Sequence, residues 1–453
     1  MEKDTFRQRL LAIVLPVALQ QLLTSLVGAS DALMLGMLDQ ASLSAVSLAT
    51  QVQFVLNLFV YPFTMGATML AAQYWGKHDA ETVAQVQGIA LRCSMVISTL
   101  FFLAALCIPE MLMLLFTNDT ALVALGVPYL RIVSFSYLCS GWTQIVLCIM
   151  KNSGRVVRST VYSVTAMVGN LILNTILIFG MLGAPAMGIR GAALATSISQ
   201  FVVLVLVMLE NRRPGVIKLR WHDLVHPPKR LHRTFWKHTL PALLNNLSWG
   251  FGFTMTSVIM GHLGSDAVAA SAMAQIVRNV AECVCSGIAA GAGILVGNEL
   301  GAGHLEQARR YGGKLCRLSI VAGAISGGVI LCFSPLILRY AGSLSSQAHS
   351  YLRFMLIVCS YYLIGRSLNS TIINGIFSAG GDTVFGLKCD TINMWLVIVP
   401  MGLLAAFVLK LPVPVVYFLL NLDEFTKIPA EWLHYRKYKW VRNLTVDAKE
   451  EAA

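Results

Sequence analysis

The sequence has 453 residues, of which 56% are hydrophobic and only 12% are charged. Soluble domains carry about 25% charged residues, so this composition excludes a large soluble domain and indicates a membrane protein. The formal net charge of +12 could suggest a nucleic-acid-binding protein, but that class needs a basic patch on a folded soluble domain. The sequence offers no such domain, and we expect a lipid bilayer and no nucleic acid as its surroundings.

Apolar runs bounded by charged residues, glycine or proline follow one another along the chain. A helix needs about 20 apolar residues to cross a bilayer, and only helices or closed barrels satisfy the backbone groups in lipid. These runs are too long and too uniformly apolar for barrel strands of about ten residues. We therefore predict an all-α integral membrane protein with twelve transmembrane helices, at residues 10–38, 43–75, 84–109, 119–150, 157–181, 188–210, 239–262, 267–298, 311–341, 348–377, 384–409 and 411–433.

Lysine and arginine are distributed unequally between the two sides of this predicted topology. With the N-terminus inside, the outer connections carry only Arg190, Arg339 and Lys410, and the other connecting basic residues are cytoplasmic. An excess of basic residues in cytoplasmic loops is the usual pattern of membrane proteins. We predict a multi-pass protein of the plasma (inner) membrane with both termini in the cytoplasm. The first span is followed by no small-residue cleavage site, so we interpret it as uncleaved.

The ten cysteines lie almost wholly in apolar runs and have no C-x-x-C spacing. Metal sites need ligands at repeated close spacing, so we interpret these cysteines as small buried hydrophobic residues. No resident metal and no cofactor are predicted.

The second half of the sequence repeats the first at an offset of 225 residues. Leucine and alanine matches are common in such a composition, but proline and glycine matches at one constant offset are not. Each half holds six predicted spans, so the repeat is parallel, as in secondary transporters whose site lies between the halves. We predict an N-terminal six-helix bundle at 1–210, a cytoplasmic linker at 211–238, a C-terminal six-helix bundle at 239–433 and a cytoplasmic tail at 434–453. The matches include Pro16 with Pro241, Gly36 with Gly261, Gly66-Ala67 with Gly291-Ala292, and Gly76 with Gly301.

Several motifs along the whole chain resemble those of one transporter family. They are Leu15-Pro16 and Leu240-Pro241, the segments GATMLAAQYWG (66–76) and VGNELGAG (296–303), GAALAT (191–196) and GGDT (380–383). The set resembles the multidrug and toxic compound extrusion (MATE) family of twelve-helix antiporters. The resemblance implies export of amphipathic, often cationic, small organic molecules in exchange for H⁺ or Na⁺, by alternating access. We expect a monomer that is not an enzyme.

Asp31 lies far inside the first predicted span, where a carboxylate costs roughly 2.5–3.5 kcal/mol on insertion scales. No basic residue lies three or four positions away on the same helix to compensate it. One interpretation is a cation or proton site, and the other is a protonated or locally satisfied carboxyl that fixes helix packing.

Asn170 and Asn174 are four residues apart and therefore share one face of the fifth predicted helix. The MATE resemblance implies that Asp31, Asn170, Asn174 and Thr196 line a cation-binding cavity of the N-terminal half. Some members have aspartate at the position of Asn174, so this chain has one formal charge there, enough for one proton or one monovalent ion. The alternative is that both asparagines only join helices by hydrogen bonds.

The coupling ion is H⁺ or Na⁺, and two physical effects compete. Burial of a lone carboxylate favours its protonated form, whereas neutral oxygens of Asn170, Asn174 and Thr196 suit a hard cation. Without a second acid to offset the dehydration of Na⁺, we favour H⁺.

In the second half, Thr256 replaces the acid at the repeat position of Asp31. Arg278 and Glu282 lie four apart, so they either neutralise each other along one helix or leave Glu282 facing a substrate cavity. Further candidates for that cavity are Gln53, Asn57 and Asp390, the last with Lys388 nearby. The roles of Asp423 and Glu424 stay open.

Two other function classes are weighed against the antiporter. A lipid-linked oligosaccharide flippase of the wider superfamily would have extra spans and a cluster of cavity arginines, whereas the intramembrane arginines here are scattered. An integral-membrane enzyme would need convergent acid, base or metal groups, and the spans contain no His-x-x-x-His or Asp-x-x-Asp set. The glycine-rich turns lack the Gly-Lys-Ser/Thr ending of a phosphate-binding loop. The scattered arginines are Arg131, Arg278, Arg353 and Arg366.

Overall fold

The structure is a computed structural model that describes residues 2–213, 216–219, 224, 227–341 and 344–446. Every regular element within these ranges is helical. The predicted linker (211–238) and tail (434–453) lie partly outside the described residues, and their predicted roles stay predictions.

The first half of the chain forms long helices that match the first six predicted spans. Their ends follow ordinary capping chemistry: Asp79 accepts a hydrogen bond from the Thr82 amide at the start of one helix, and Gly180, with φ 74°, ends another in the left-handed conformation. The helices are α1 (Glu2–Leu38), α2 (Gln40–Gly76), α3 (Ala80–Cys107), the short α4 (Pro109–Leu114), α5 (Thr120–Asn152), α6 (Val156–Phe179) and α7 (Ile189–Asn211).

The second half is more broken than its sequence predicts. The helices are α8 (Lys229–His262), α9 (Ser265–Ala281), α10 (Cys283–Gly301), α11 (Leu305–Tyr340), α12 (Ser346–Asn369), α13 (Thr383–Ile392), α14 (Val399–Leu403), α15 (Val413–Leu420), α16 (Asp423–Thr426) and α17 (Ile428–Arg436). Helix α12 continues as a π-helix over Ser370–Phe377, and π-helical turns at Asn393–Ile398 and Leu404–Val408 flank α14.

Two predicted spans of this half are not single helices. The span at 267–298 is two helices that meet at Glu282, and the span at 411–433 is three short helices. In the latter, α17 begins at Ile428 and has Pro429 in its first turn, where proline is tolerated because its missing amide hydrogen has no partner there in any case. These two expectations of continuous helices are therefore wrong.

Ten helical segments among the described residues are long and apolar enough to cross a membrane. Helix α8, which covers the seventh predicted span, is not among them, because Asn245, Asn246 and Ser248 interrupt its apolar sequence. The segments are Phe6–Leu38, Gln40–Gly76, Ala80–Cys107, Thr120–Asn152, Val156–Phe179, Ile189–Asn211, Cys283–Gly301, Leu305–Arg339, Ser346–Phe377 and Thr383–Val408.

The chain folds into two compact units. Unit 1 contains Met1–Gln21, Ala72–His78 and Lys237–Ala453, and unit 2 contains Leu22–Ala71 and Asp79–Trp236. The ends of α1 and α2 therefore pack within unit 1, although both helices belong to the first half of the sequence. The core of unit 2 includes Leu56, Leu130 and Tyr137, and that of unit 1 includes Leu363, Ile398 and Val416. The predicted bundle boundaries at 1–210 and 239–433 stay a prediction.

The same helix pairing recurs in both units at the same sequence separation. In unit 2, Asn174 of α6 donates to Asp31 of α1, 143 residues away. In unit 1, Thr391 of α13 donates to Ser248 of α8, also 143 residues away. The two halves are therefore built alike, as a parallel repeat requires.

The glycines of the repeated motifs permit close packing within unit 1. A Cβ atom on Gly76 would lie 2.0 Å from the carbonyl oxygen of Asn298, and one on Gly301 would lie 1.8 Å from that of Gln73. The side chain of Gln73 donates to the Ala379 carbonyl (2.7 Å) and accepts from the Leu444 amide (2.7 Å) at the same crossing. The glycine-rich ends of α2 and α10 thus serve helix packing.

Candidate functional site: the Asp31 site and a buried charge network

The structure brings the predicted coupling residues together in unit 2. The Nδ2 atom of Asn174 donates to Asp31 Oδ1 at 2.6 Å and to Asn170 Oδ1 at 3.2 Å. Asn170 Nδ2 in turn donates to Thr196 Oγ1 at 3.3 Å, and Thr196 donates to the Ala192 carbonyl. Three helices, α1, α6 and α7, therefore contribute to one hydrogen-bonded chain, which we name the Asp31 site (Asp31, Asn170, Asn174 and Thr196).

The Asp31 site has one carboxylate and otherwise neutral polar groups. Asn174 is only 1% exposed and Asn170 is buried, whereas Asp31 and Thr196 are half-buried. The Oδ1 atom of Asn174 is buried and has no hydrogen-bond partner among the described residues. Because buried polar atoms normally have partners, this oxygen can serve as a ligand of a small cation, whereas the Asp31 carboxylate can accept either a proton or a cation.

Gln53 and Asn57, the other candidates of the first half, lie on α2 in unit 2. Gln53 is half-buried, and Asn57 is exposed and accepts a hydrogen bond from Gln144 at 3.4 Å. Within the described residues, neither is hydrogen-bonded to the Asp31 site. Their repeat equivalents, 225 residues later, are Arg278 and Glu282, so the two halves differ in charge at these positions.

Five charged residues of unit 1 form a network that the sequence did not predict, and two of them, Glu424 and Lys427, are buried. Glu282 accepts from Arg366 Nε at 2.7 Å, and Arg366 Nη1 also contacts Glu424 at 3.2 Å. Lys427 contacts Glu424 at 3.2 Å and Asp390 at 3.0 Å. We name these five residues the charge network.

This network decides between the two alternatives for Glu282 and gives Asp390 its partners. Glu282 pairs with Arg366 of α12 and not with Arg278 of its own predicted span, because the helix breaks at Glu282. Asp390 pairs with Lys427, not with Lys388, and it also accepts from Asn245 at 2.8 Å. Both acids are thus bound by protein groups.

Glu424, whose role the sequence left open, is the centre of this network. It is fully buried and accepts from Arg366, Lys427, Asn369 (2.7 Å) and Tyr362 (3.3 Å). Removal of one partner from a buried ion pair leaves an uncompensated charge, which costs about 3–5 kcal/mol. One sequence signal could have indicated the ion pair of Glu424 and Lys427: the two residues are three positions apart in a predicted span.

A protein-family model named MatE matches residues 16–176 and 241–406, which are the two halves of the repeat. The chain belongs to the MatE family. MatE proteins are membrane transporters, so this chain is a multi-pass membrane transporter, and its predicted class of two six-helix halves related by a parallel repeat is confirmed.

Relatives of this MatE chain match 71–96% of it at low identity. The uncharacterized transporter YisQ of Bacillus subtilis is 23% identical over 96% of this chain and 95% of the relative. Multidrug and toxin extrusion protein 1 of Oryctolagus cuniculus is 23% identical over 90% of this chain and 71% of the relative. A probable multidrug resistance protein NorM of Agrobacterium fabrum is 26% identical over 71% of this chain and 68% of the relative.

Solved structures share the fold of this MatE chain. An outward-facing multidrug resistance MATE family transporter has a TM-score of 0.87 and 17% identity, covering 96% of each chain. A MOP superfamily transporter from Pyrococcus furiosus has a TM-score of 0.86 and 17% identity, again covering 96% of each chain.

Proposed function

We propose that this MatE protein is a secondary antiporter of the plasma (inner) membrane, with both termini in the cytoplasm. It exports amphipathic, often cationic, organic compounds in exchange for H⁺ by alternating access between its two halves. The names of its relatives in Oryctolagus cuniculus and Agrobacterium fabrum support multidrug substrates.

The observation that carries this proposal is the surroundings of Asp31. An intramembrane carboxylate is costly, and the hydrogen bond at its Oδ1 comes from a neutral amide, Asn174. A lone carboxylate with neutral neighbours changes its charge when it takes up or releases a proton. That change alters the cost of burying the side chain, which gives H⁺ a means of biasing two conformations.

Na⁺ is the second candidate for the coupling ion. The unpartnered Asn174 Oδ1 favours it, because hard cations prefer oxygen ligands. The site has one carboxylate, however, and a second acid that would offset the dehydration of Na⁺ is replaced by Asn174. We therefore favour H⁺.

Two arginines of unit 1 argue against the flippase alternative. Arg366, one of the intramembrane arginines, is neutralised by Glu282 and Glu424. Arg278 faces a cavity, but a single arginine is not the cluster of cavity arginines that a flippase would have.

The experiment uses the full chain in proteoliposomes with a fluorescent organic cation as substrate. An imposed pH gradient in Na⁺-free buffer should drive efflux by the wild type and not by Asp31→Asn, because an amide does not titrate. Asp39→Asn is the matched control, since Asp39 lies at the end of the same helix, is exposed and caps α2 through Ser42, as asparagine also can.

Two results would contradict the proposal in different ways. If Asp31→Asn exports at the wild-type rate, Asp31 is structural and the site assignment is wrong. If efflux needs Na⁺ and ignores the pH gradient, the antiporter remains but the choice of H⁺ fails.

A further inference from the structure

Unit 1 contains a cavity of about 280 Å³ among α8, α9, α12, the π-helical turn Asn393–Ile398, α15 and α16. One wall carries two stacked rings, Trp249 and Phe253, whose centroids are 5.6 Å apart at an interplanar angle of 17°. Tyr362 and Tyr417 also line the cavity. Drug-binding pockets measure about 300–1,000 Å³, so this cavity suits a molecule of one or two aromatic rings.

Arg278 lines this cavity and has neutral hydrogen-bond partners. Its Nη1 donates to Asn421 Oδ1 at 3.0 Å, Nη2 donates to Gln275, and the guanidinium lies over the Tyr362 ring at 4.7 Å. Among the described residues, no carboxylate lies within the 4.0 Å of an ion pair with Arg278. By contrast, Arg366 has two carboxylate partners. A positive charge therefore faces the cavity without a protein counter-charge in contact.

Asp423, an acidic residue, lines the same cavity. Its backbone carbonyl accepts from Asn393, but within the described part of the chain its carboxylate forms no ion pair under 4.0 Å. Its neighbour Glu424, one residue later, takes the contacts of Arg366 and Lys427. The cavity thus presents one guanidinium group and one carboxyl group that are not paired with each other.

We propose that this cavity binds a small aromatic zwitterion. Its carboxylate contacts the guanidinium of Arg278, its basic nitrogen contacts Asp423, and its ring packs on Trp249 and Phe253. A ligand with only a carboxylate can bind Arg278 but gains nothing from Asp423, which disfavours an anion. A ligand with only an amine can bind Asp423 but is disfavoured by the positive charge of Arg278. The assignment rests on the proposed function in one respect, namely that a transporter of organic compounds needs a substrate-sized site.

The test measures equilibrium binding to the full chain in lipid nanodiscs, with no ion gradient. The probes are L-tryptophan, which carries both charges, tryptamine, which has only the amine, and indole-3-propionate, which has only the carboxylate. We expect L-tryptophan to bind roughly tenfold or more tightly than either analogue, because each analogue leaves one charged group of the cavity without its hydrogen-bond partner.

Two variants assign each charge to its residue. Arg278→Gln should remove the preference for L-tryptophan over tryptamine, and Asp423→Asn should remove the preference over indole-3-propionate. Arg131→Gln on α5, which takes an exposed arginine from unit 2, is the matched control and should keep both preferences.

Equal affinities for the three probes, or no binding of L-tryptophan to folded wild-type protein, would overturn the proposal. If a variant fails to fold, the probe series on the wild type still decides. Because no gradient is present, a failure of proton-coupled export leaves this measurement unaffected, and the two proposals fail separately.

Discussion

Gly301→Ala tests whether the repeated glycines hold the ends of α2 and α10 together. The added Cβ atom would lie 1.8 Å from the carbonyl oxygen of Gln73, whereas ordinary contacts begin at 3.4 Å, so the backbones must separate by about 1.6 Å. The neighbouring atom belongs to the backbone and cannot turn away as a side chain could. Gly76→Ala meets the same obstacle, at 2.0 Å from the carbonyl of Asn298.

The size of the effect follows from three contributions, of which two destabilise the protein and one stabilises it. Overpacking costs about 1–3 kcal/mol and occasionally more, and we expect the upper end because the obstacle is backbone. Separation also stretches the hydrogen bonds of Gln73 to Ala379 and Leu444, each worth about 1 kcal/mol. Alanine gains about 1 kcal/mol of helix propensity over glycine. Overpacking and the weakened hydrogen bonds together outweigh the gain in helix propensity. The net loss of stability is therefore about 2–4 kcal/mol.

The assay is thermal unfolding of the purified full chain in detergent. Gly28→Ala and Gly261→Ala are the controls, because a Cβ atom at either position has no other atom within 4 Å. They should unfold at or slightly above the wild-type temperature, and Gly301→Ala should unfold well below it. If Gly301→Ala and Gly28→Ala unfold together, close packing is not the role of these glycines.

Three further changes test the sites. Asn174→Asp adds a second acid to the Asp31 site and should shift efflux towards dependence on Na⁺, which transport with each gradient imposed separately would measure. Lys427→Met should cost about 3–5 kcal/mol of unfolding free energy, since it leaves buried carboxylates uncompensated. Lys388→Met is its control, and a similar loss of stability there would show that the charge network is not the cause. Glu210→Gln removes the carboxylate that contacts three arginines of unit 2. Because two of these are more than half exposed, it should cost only about 1 kcal/mol and less at high salt, as melting in both buffers would show.

The Asp31 site could be grouped from the sequence, whereas the charge network could not. Asp31 was identified as an acid inside a predicted span, and Asn170 and Asn174 share a helix face at a spacing of four. The family resemblance grouped these three residues with Thr196. The network joins Glu282, Arg366 and Asp390 across separate helices, and their pairing depends on packing. Sequence spacing favoured the local partner Arg278 for Glu282, but the structure supplies Arg366.

Hydropathy and repeated glycines predicted the class of fold, but not its local irregularities. The long helices of the first half match the predicted spans, because lipid requires continuous apolar helices. The break at Glu282 and the π-helical stretch at Ser370–Phe377 have no counterpart in the apolar pattern. Hydropathy records only composition along the chain and therefore does not predict them.

The division of unit 1 into three stretches of chain has a consequence for biosynthesis. Met1–Gln21 and Ala72–His78 leave the ribosome long before Lys237–Ala453, the stretch with which they pack, has been made. The ends of α1 and α2 must therefore wait for the second half before they reach their final neighbours. A nick between residues 213 and 229 would leave two of the three pieces of unit 1 on the N-terminal fragment. Halves expressed from separate genes would thus have to assemble with each other before either could complete unit 1.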